Sequence, residues 1–346
     1  MSKIIVHVCM DTGGIAAGSL EVMDAFRMEF EKADVEAKIE KHCAMHQVGC
    51  RGFCDRDVLV DITVDEERTT YQYIKPEMVP RLVQEHILGG QPVEDWRVGE
   101  DYHKFYTLQK KVVLANNGTI DPENIQEYID LGGYGTVRKI LAEMSPEDVI
   151  ETMKSSGLRG RGGAGFPTGL KWEICASKSA SPKYLICNAD EGDPGAFMDR
   201  SVIEGNPHTL IEGMTIGAYA IGAPTAYVYI RAEYPLAVER LKIALGQARE
   251  RGCLGKGIHG SDFNFEITVK LGAGAFVCGE ETALIASIEG ERGMPRAKPP
   301  YPADKGLWGK PTIINNVETW ANITPIMKNG AEWFAAIGNE NSKGTK

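Results

Sequence analysis

Residues 157–172 read GLRGRGGAGFPTGLKW, and Gly160, Gly162 and Gly165 within them spell G-x-G-x-x-G. The reading of this stretch decides the fold. A standard Rossmann turn follows a strand, opens a helix, and has an acid near the end of the next strand. Here the preceding segment, SPEDVIETMKSSG, reads as a capped helix, with Ser145 as N-cap, Pro146 at the first helical position, Asp148 at the capping-box site and Gly157 as the stop. A loop that follows a helix fails the Rossmann context. A Walker loop fails as well, because Leu170 separates Gly169 from Lys171 and no Ser or Thr follows the lysine. The chemistry of the stretch survives the loss of both labels. Its glycines let backbone N–H groups approach a phosphate or a flat ring, and it feeds a helix N-terminus that favours anions. Arg161 and Lys171 add positive charge at the same place. Taken alone, an ordinary glycine-rich connector reads equally well.

Three companions decide between these readings. CNADEGDPGAFMDR (187–200) sets Asp190, Glu191 and Asp193 at the end of an expected strand, KYLICNADE. Such acids are a metal site, a set of hydroxyl and amide acceptors, or a solvated turn. GAGAFVCGEETALIASIEG (272–290) supplies a second glycine loop, the pair Glu280–Glu281 and a helix. KPPYPADKGLWGKPTIINNVETW (298–320) ends with Asn315 and Asn316 at another helix start, where amides suit phosphate or ribityl oxygens.

The 346 residues suffice for about two domains, and 43% hydrophobic with 25% charged residues is a globular composition. A net charge of −10 argues against a nucleic-acid surface or a polybasic membrane anchor. The N-terminus, MSKIIVHVCMDTGG, shows no signal peptide. The uncharged run 213–230 holds glycines and Pro224, so it reads as a buried helix and strand rather than a membrane span. The expected location is the cytoplasm, with no direct membrane insertion. Eight cysteines without a secretion signal point to reduced thiols or metal ligands, and four of them (Cys9, Cys43, Cys50, Cys54) fall in the first 54 residues.

The first 91 residues read as a strand (KIIVHVC), a helix with apolar Leu20, Met23, Phe26 and Phe30, a strand (VEAKIEKH), another strand (VLVDITV) and a closing helix with a glycine stop. This β-α-β-β order suggests a thioredoxin-like unit. Residues 92–118 read as a connector that lays down little core. From 119 to 346 helices alternate with strands, including AYVYIRAEY and FEITVKLGAG. The expected class is therefore α/β: a thioredoxin-like N-terminal domain, then an α/β domain that, by the resemblance described next, is Rossmann-like and binds FMN and NAD(H).

From Gly132 to Lys346, these four separated motifs resemble the FMN-containing, NADH-oxidising subunit of respiratory complex I and its relatives, the diaphorase subunits of NAD-linked hydrogenases and formate dehydrogenases. The resemblance implies one pocket shared by flavin and nicotinamide. Carried over by motif, Gly160, Arg161, Gly162 and Lys171 line the FMN phosphate and ring. Asn188, Asp190 and Glu191 hold ribityl hydroxyls and the isoalloxazine edge. Gly279, Glu280 and Glu281 close the flavin face, with Asn315 and Asn316 near the phosphate. Gly163, Ala164 and Phe166 receive NADH, with Glu191, Asp193 and Glu281 at the nucleotide. Two positions depart from the family pattern: Ile174 stands where relatives often carry a second aromatic, and Phe276 where they commonly carry Tyr. The implied activity is hydride transfer between NAD(H) and FMN, with no side chain as general base and Glu191 acting electrostatically. Single electrons then pass to iron–sulfur partners, namely a small thioredoxin-like [2Fe–2S] subunit and a large multi-cluster subunit. A flavin-free assembly or docking subunit of the same fold is the alternative, and an electron-bifurcating module using ferredoxin is a third.

The N-terminal unit is similar to the thioredoxin-like [2Fe–2S] domain fused to such subunits, whose ligands follow C-x(4)-C and then C-x(3)-C. Cys50 and Cys54 supply the later pair; Cys9 is present, but its partner position is Gly13 or Gly14. Cys43 is the candidate fourth ligand. A docking domain without a cluster and a Cys50–Cys54 redox disulfide are the other readings. The chain stops at NENSKGTK, where relatives continue into a ubiquitin-like region and a [4Fe–4S] domain; no cysteine-rich motif for that cluster lies in these 346 residues. This implies a truncated chain or an electron outlet in a partner.

Overall fold

The computed structural model describes residues 4–32, 35 and 43–345. It divides into two compact units, Met1–Pro122 and Glu123–Lys346.

In the first unit, β1 (Ile4–Cys9), β2 (Cys43–Val48), β3 (Val60–Val64) and β4 (Glu67–Tyr71) form one sheet in the order β2-β1-β3-β4. β1 and β2 are parallel, whereas β1–β3 and β3–β4 are antiparallel, which is the thioredoxin-like arrangement. The strand expected over 35–42 lies, apart from Val35, outside the described residues; the strand that pairs with β1 begins at Cys43. Alternation explains β1: Val6 and Val8 are fully buried while His7 between them is not. Asp65 and Glu66 join β3 to β4 with φ of 48° and 74°, the primed turn that suits two twisted strands. The helix Ser19–Phe30 turns Val22, Met23 and Phe26 into the core and leaves Leu20 exposed. Residues 92–118 do more than connect. The helix Glu100–Thr107 buries Tyr102 beside Cys9, Leu59 and Val98, and Tyr102 also receives a hydrogen bond from Arg51 at 3.2 Å.

In the second unit, β5 (Tyr184–Ala189), β6 (Thr225–Arg231), β7 (Glu266–Gly272) and β8 (Thr312–Asn316) form a wholly parallel sheet in the order β7-β6-β5-β8. Parallel strands need crossovers. The helix Pro207–Ile221 makes the first and is buried on nearly every face; most of it is apolar, and its buried Glu212 is satisfied by the Tyr128 hydroxyl and the Tyr134 and Val137 N–H groups. The uncharged run 213–230 is thus the end of this helix, a turn at Gly222 and β6. Among the described residues no helix is long and apolar enough to cross a membrane. The helix Pro235–Glu250 makes the second crossover. After β7 the chain returns to the other side of β5, so the strand order reverses between β5 and β8. In open parallel sheets the crevice beyond the carboxyl ends at such a reversal is where ligands bind.

Candidate functional site at the switch point

Three segments converge on that crevice. β5 delivers Asn188 and then Asp190 and Glu191; β8 delivers Asn315 and Asn316. Asn316 caps the helix Val317–Ala321, its side chain accepting from Thr319 N at 3.3 Å. The glycine loop arrives from the helix Pro146–Ser156, whose N-terminus is the reciprocal Ser145–Asp148 capping box and whose stop, Gly157, is left-handed at φ 68°. The loop closes on itself through Gly160 N–H to Phe166 O at 2.9 Å, and then opens the helix Thr168–Ala176. Arg161 N–H donates to Thr319 Oγ1 at 2.9 Å, which pins the loop to the end of β8. The packing is close: a Cβ at Gly162 would stand 3.2 Å from Asn316 Cβ, which would have to give by a few tenths of an ångström. Gly163, at φ 107°, adopts backbone that other residues avoid.

Two adjoining cavities result, of about 270 and 710 Å³, with Gly162, Asn188, Gly279, Glu280 and Asn316 lining both. Gly160, Ala164, Phe166, Lys171, Glu281 and Asn315 line the smaller. Arg161, Gly163, Asp190, Glu191 and Asp193 line the larger. Every residue singled out for the flavin and nucleotide therefore borders this one region.

The side chains differ in what they present. Lys171 Nζ donates to Ile314 O at 2.6 Å and lies 3.8 Å from Glu281; burial lowers its pKa, with Glu281 opposing. Lys298 reaches Glu280 at 2.9 Å and Glu281 at 2.6 Å, and these bonds outweigh its partial burial to raise its pKa. Glu280 caps the helix Glu281–Ile288, accepting from Thr282 N and Ala283 N at 2.9 and 3.0 Å. Glu191 likewise accepts from Asp199 N and Arg200 N at 3.0 and 3.2 Å, holding the start of the helix Met198–Gly205. Asn188 donates to Gly279 O at 2.9 Å and orients the second glycine loop. Asp190 is different. Its Oδ2 is buried without a hydrogen-bond partner, and burial raises its pKa. Asn315 braces the floor, its amide oxygen facing Trp172 Nε1 at 3.0 Å. Trp172 in turn stacks on Trp320 at 5.5 Å.

Among the lining residues that escaped the sequence reading are four with polar side chains that bear on the site, Lys298, Asp199, Glu318 and Thr319. The unpaired look of Glu280–Glu281 was the signal for a cation such as Lys298. Asp199 accepts from Asn316 Nδ2 at 2.5 Å and Glu318 N at 3.3 Å; burial, then Glu191 and Glu318, push its pKa well up. Of the two departures, Phe276 is 66% exposed with its ring over Gly192, and Ile174 is partly exposed on the helix after the loop.

In the first unit, Cys9 ends β1 and its thiol donates to Asp11 at 3.3 Å. Cys50 and Cys54 have their sulfurs 3.1 Å apart, both as free thiols. Cys43 does not join them. It pairs with Ile4 at the far end of the β1–β2 ladder, whereas Cys9 pairs with Val48. Five residues of strand put it about 16 Å away, so the expectation that Cys43 supplies the fourth ligand is corrected.

A doubly wound parallel sheet, with a glycine loop, acids and amides gathered at its switch point, defines a nucleotide-binding α/β domain of the flavoprotein class. The chain belongs to the Complex1_51K family, described as the Nuo51 FMN-binding domain, which matches residues 153–325. It is 60% identical over 238 residues to the NADP-reducing hydrogenase subunit HndC of Solidesulfovibrio fructosivorans, covering 69% of this chain and 48% of that one. It is 52% identical over 301 residues to the NAD-reducing hydrogenase HoxS subunit alpha of Cupriavidus necator, covering 86% and 48%. A crystal structure of an air-oxidized NAD+-reducing [NiFe]-hydrogenase superposes over 99% of this chain and 55% of its own, with a TM-score of 0.56 and 29% identity. The chain thus spans about half the length of the curated relatives it matches.

Proposed function

We propose that this chain carries FMN at the β5–β8 switch point and exchanges hydride there with NAD(H), in the direction its complex dictates. The observation that carries the reading is the meeting, at that reversal, of a glycine loop packed so closely on β8 that a Cβ at Gly162 would stand 3.2 Å from Asn316 Cβ, and an Asp190 oxygen that is buried without a partner. The residues present fit the group. The Gly162 backbone N–H, the Lys171 ammonium and the Asn316 amide suit a phosphate, while Asn188, Asp190 and Glu191 suit ribityl hydroxyls and the ring edge. When bound, FMN supplies a centre that takes two electrons together and releases them singly.

The chain's own residues bind and orient. Gly163, Ala164 and the half-exposed ring of Phe166 receive the nicotinamide nucleotide, with Glu191, Asp193 and Glu281 facing its hydroxyls. Gly279 and Glu280 close the flavin side, and the Lys298 pairs keep the two glutamates from repelling each other. No side chain has to abstract a proton. Electrons leave to iron–sulfur subunits, a small thioredoxin-like [2Fe–2S] protein and a larger multi-cluster one, in the cytoplasm, where the eight free cysteines stay reduced.

The test is direct. The purified chain, supplied with FMN, is expected to turn yellow and to bleach when NADH is added without oxygen. A colourless protein that takes up no flavin overturns the proposal and leaves the flavin-free docking subunit.

A further inference from the structure

Beside the cysteines of the first unit the structure places a buried carboxylate. Two groups of metal-competent atoms lie within 4.8 Å of one another: Asp11 with Cys50 and Cys54, and Cys9 with Asp11 and Asp57. Asp11 is common to both. It is 2% exposed and sits two residues after Cys9, at the start of the short helix Thr12–Ala16. The backbone there refuses a side chain where a second cysteine would come from: a Cβ at Gly14 would lie 2.4 Å from Cys9 O and 3.1 Å from Asp11 Oδ1. A Cβ at Gly13 would lie 3.5 Å from both Asp11 Oδ2 and Cys54 Sγ. Gly14 thus excludes a side chain, whereas at Gly13 the contacts are ordinary; the Asp11 carboxylate stands at the same place, within reach of the Cys54 sulfur.

We propose that Asp11 is the fourth protein ligand of a binuclear iron–sulfur centre, completing Cys9, Cys50 and Cys54. The inference rests on the reading that the first unit carries a one-electron centre for a flavin partner. Geometry favours two metals over one. The described residues form two overlapping triads rather than one quartet, so the donors spread over more than a single tetrahedral ion reaches. On binding, the three thiols lose their protons to solvent and Asp11 contributes a carboxylate oxygen, a harder donor than sulfur. Asp57, whose Oδ2 is buried without a partner, is the competing oxygen donor.

The experiment uses the whole chain, loaded anaerobically with ferric iron and sulfide, and reads iron, sulfide, flavin and the electron-spin spectrum after one-electron reduction with dithionite. Asp11→Asn keeps an acceptor for Gly14 N–H, which Asp11 Oδ1 now receives at 2.8 Å, and so keeps the turn while removing the anionic ligand. The expected result is one [2Fe–2S] centre in the parent chain, at least a fivefold loss of iron and sulfide in Asp11→Asn with flavin content unchanged, and recovery of a centre with altered g-values in Asp11→Cys. An Asp11→Asn chain with the parent's iron content and spectrum overturns the ligand assignment alone, as does loss confined to Asp57→Asn. A parent chain that takes flavin but no iron and sulfide overturns instead the reading that the unit holds a centre.

Discussion

Lys171 and Asp199 show how much of the proposed chemistry is set by single groups. Lys171 is the one lining cation that donates to the β8 backbone, at Ile314 O, so its ammonium is already placed before any anion arrives. Lys171→Ala is expected to weaken FMN binding at least tenfold, about 1.4 kcal/mol or more, with the fold intact by circular dichroism; equal flavin affinity by titration would refute its role. Asp199 has a raised pKa in the folded state, so the stability it contributes is present at low pH and is lost as pH rises through that folded value. Asp199→Asn should therefore be more stable than the parent at pH 8, on the order of 1 kcal/mol or more, and the difference should shrink as pH falls and vanish only below the ordinary carboxyl value of 3.8. Parallel melting curves at all pH values would contradict this. The glycines, acids and amides of the pocket were legible in the sequence because each sits inside a local motif at a strand or helix end. Asp199 and Lys298 were not, because each gains its partner only through the fold: Asn316 and Glu281 lie far along the chain from them.

At the scale of elements, the reading succeeded wherever capping or periodicity was strong. The Ser145–Asp148 box and the Gly157 stop appear as read, and they are what denied the glycine loop its Rossmann label. Ser145→Ala removes an exposed cap and is expected to lower stability by about 1 kcal/mol, as measured by urea unfolding, without altering FMN affinity; an affinity change of tenfold would mean that the helix aims the loop. Three strands went unseen: β2, which begins at Cys43 where the expected strand ended, and β4 and β8, which share a physical reason. β4 (ERTTY) is polar on its outer face, and β8 (TIINN) is short and buried, so neither offers a clear alternation. Missing β8 hid the switch point, although Asn315 and Asn316 at its end were already singled out. Cys43 misled because spacing along the sequence carries no register.

At the scale of the whole molecule, two compact units make separate cores. Ligands that bind one native unit stabilise that unit, so saturating FMN at a hundredfold excess over Kd should add about 2.7 kcal/mol to the unfolding of Glu123–Lys346. Calorimetry is expected to show two transitions, with FMN raising only one; a single transition that moves as a whole would tie the units together. The stacked indoles of Trp172 and Trp320 add a consequence of another kind. They lie directly behind Asn315, at the floor of the pocket. Indole emission overlaps flavin absorption, so an occupant of the crevice would drain the excited state of these rings by resonance energy transfer. The fold thus carries its own optical gauge, and the filling of the site is written in the light the protein emits.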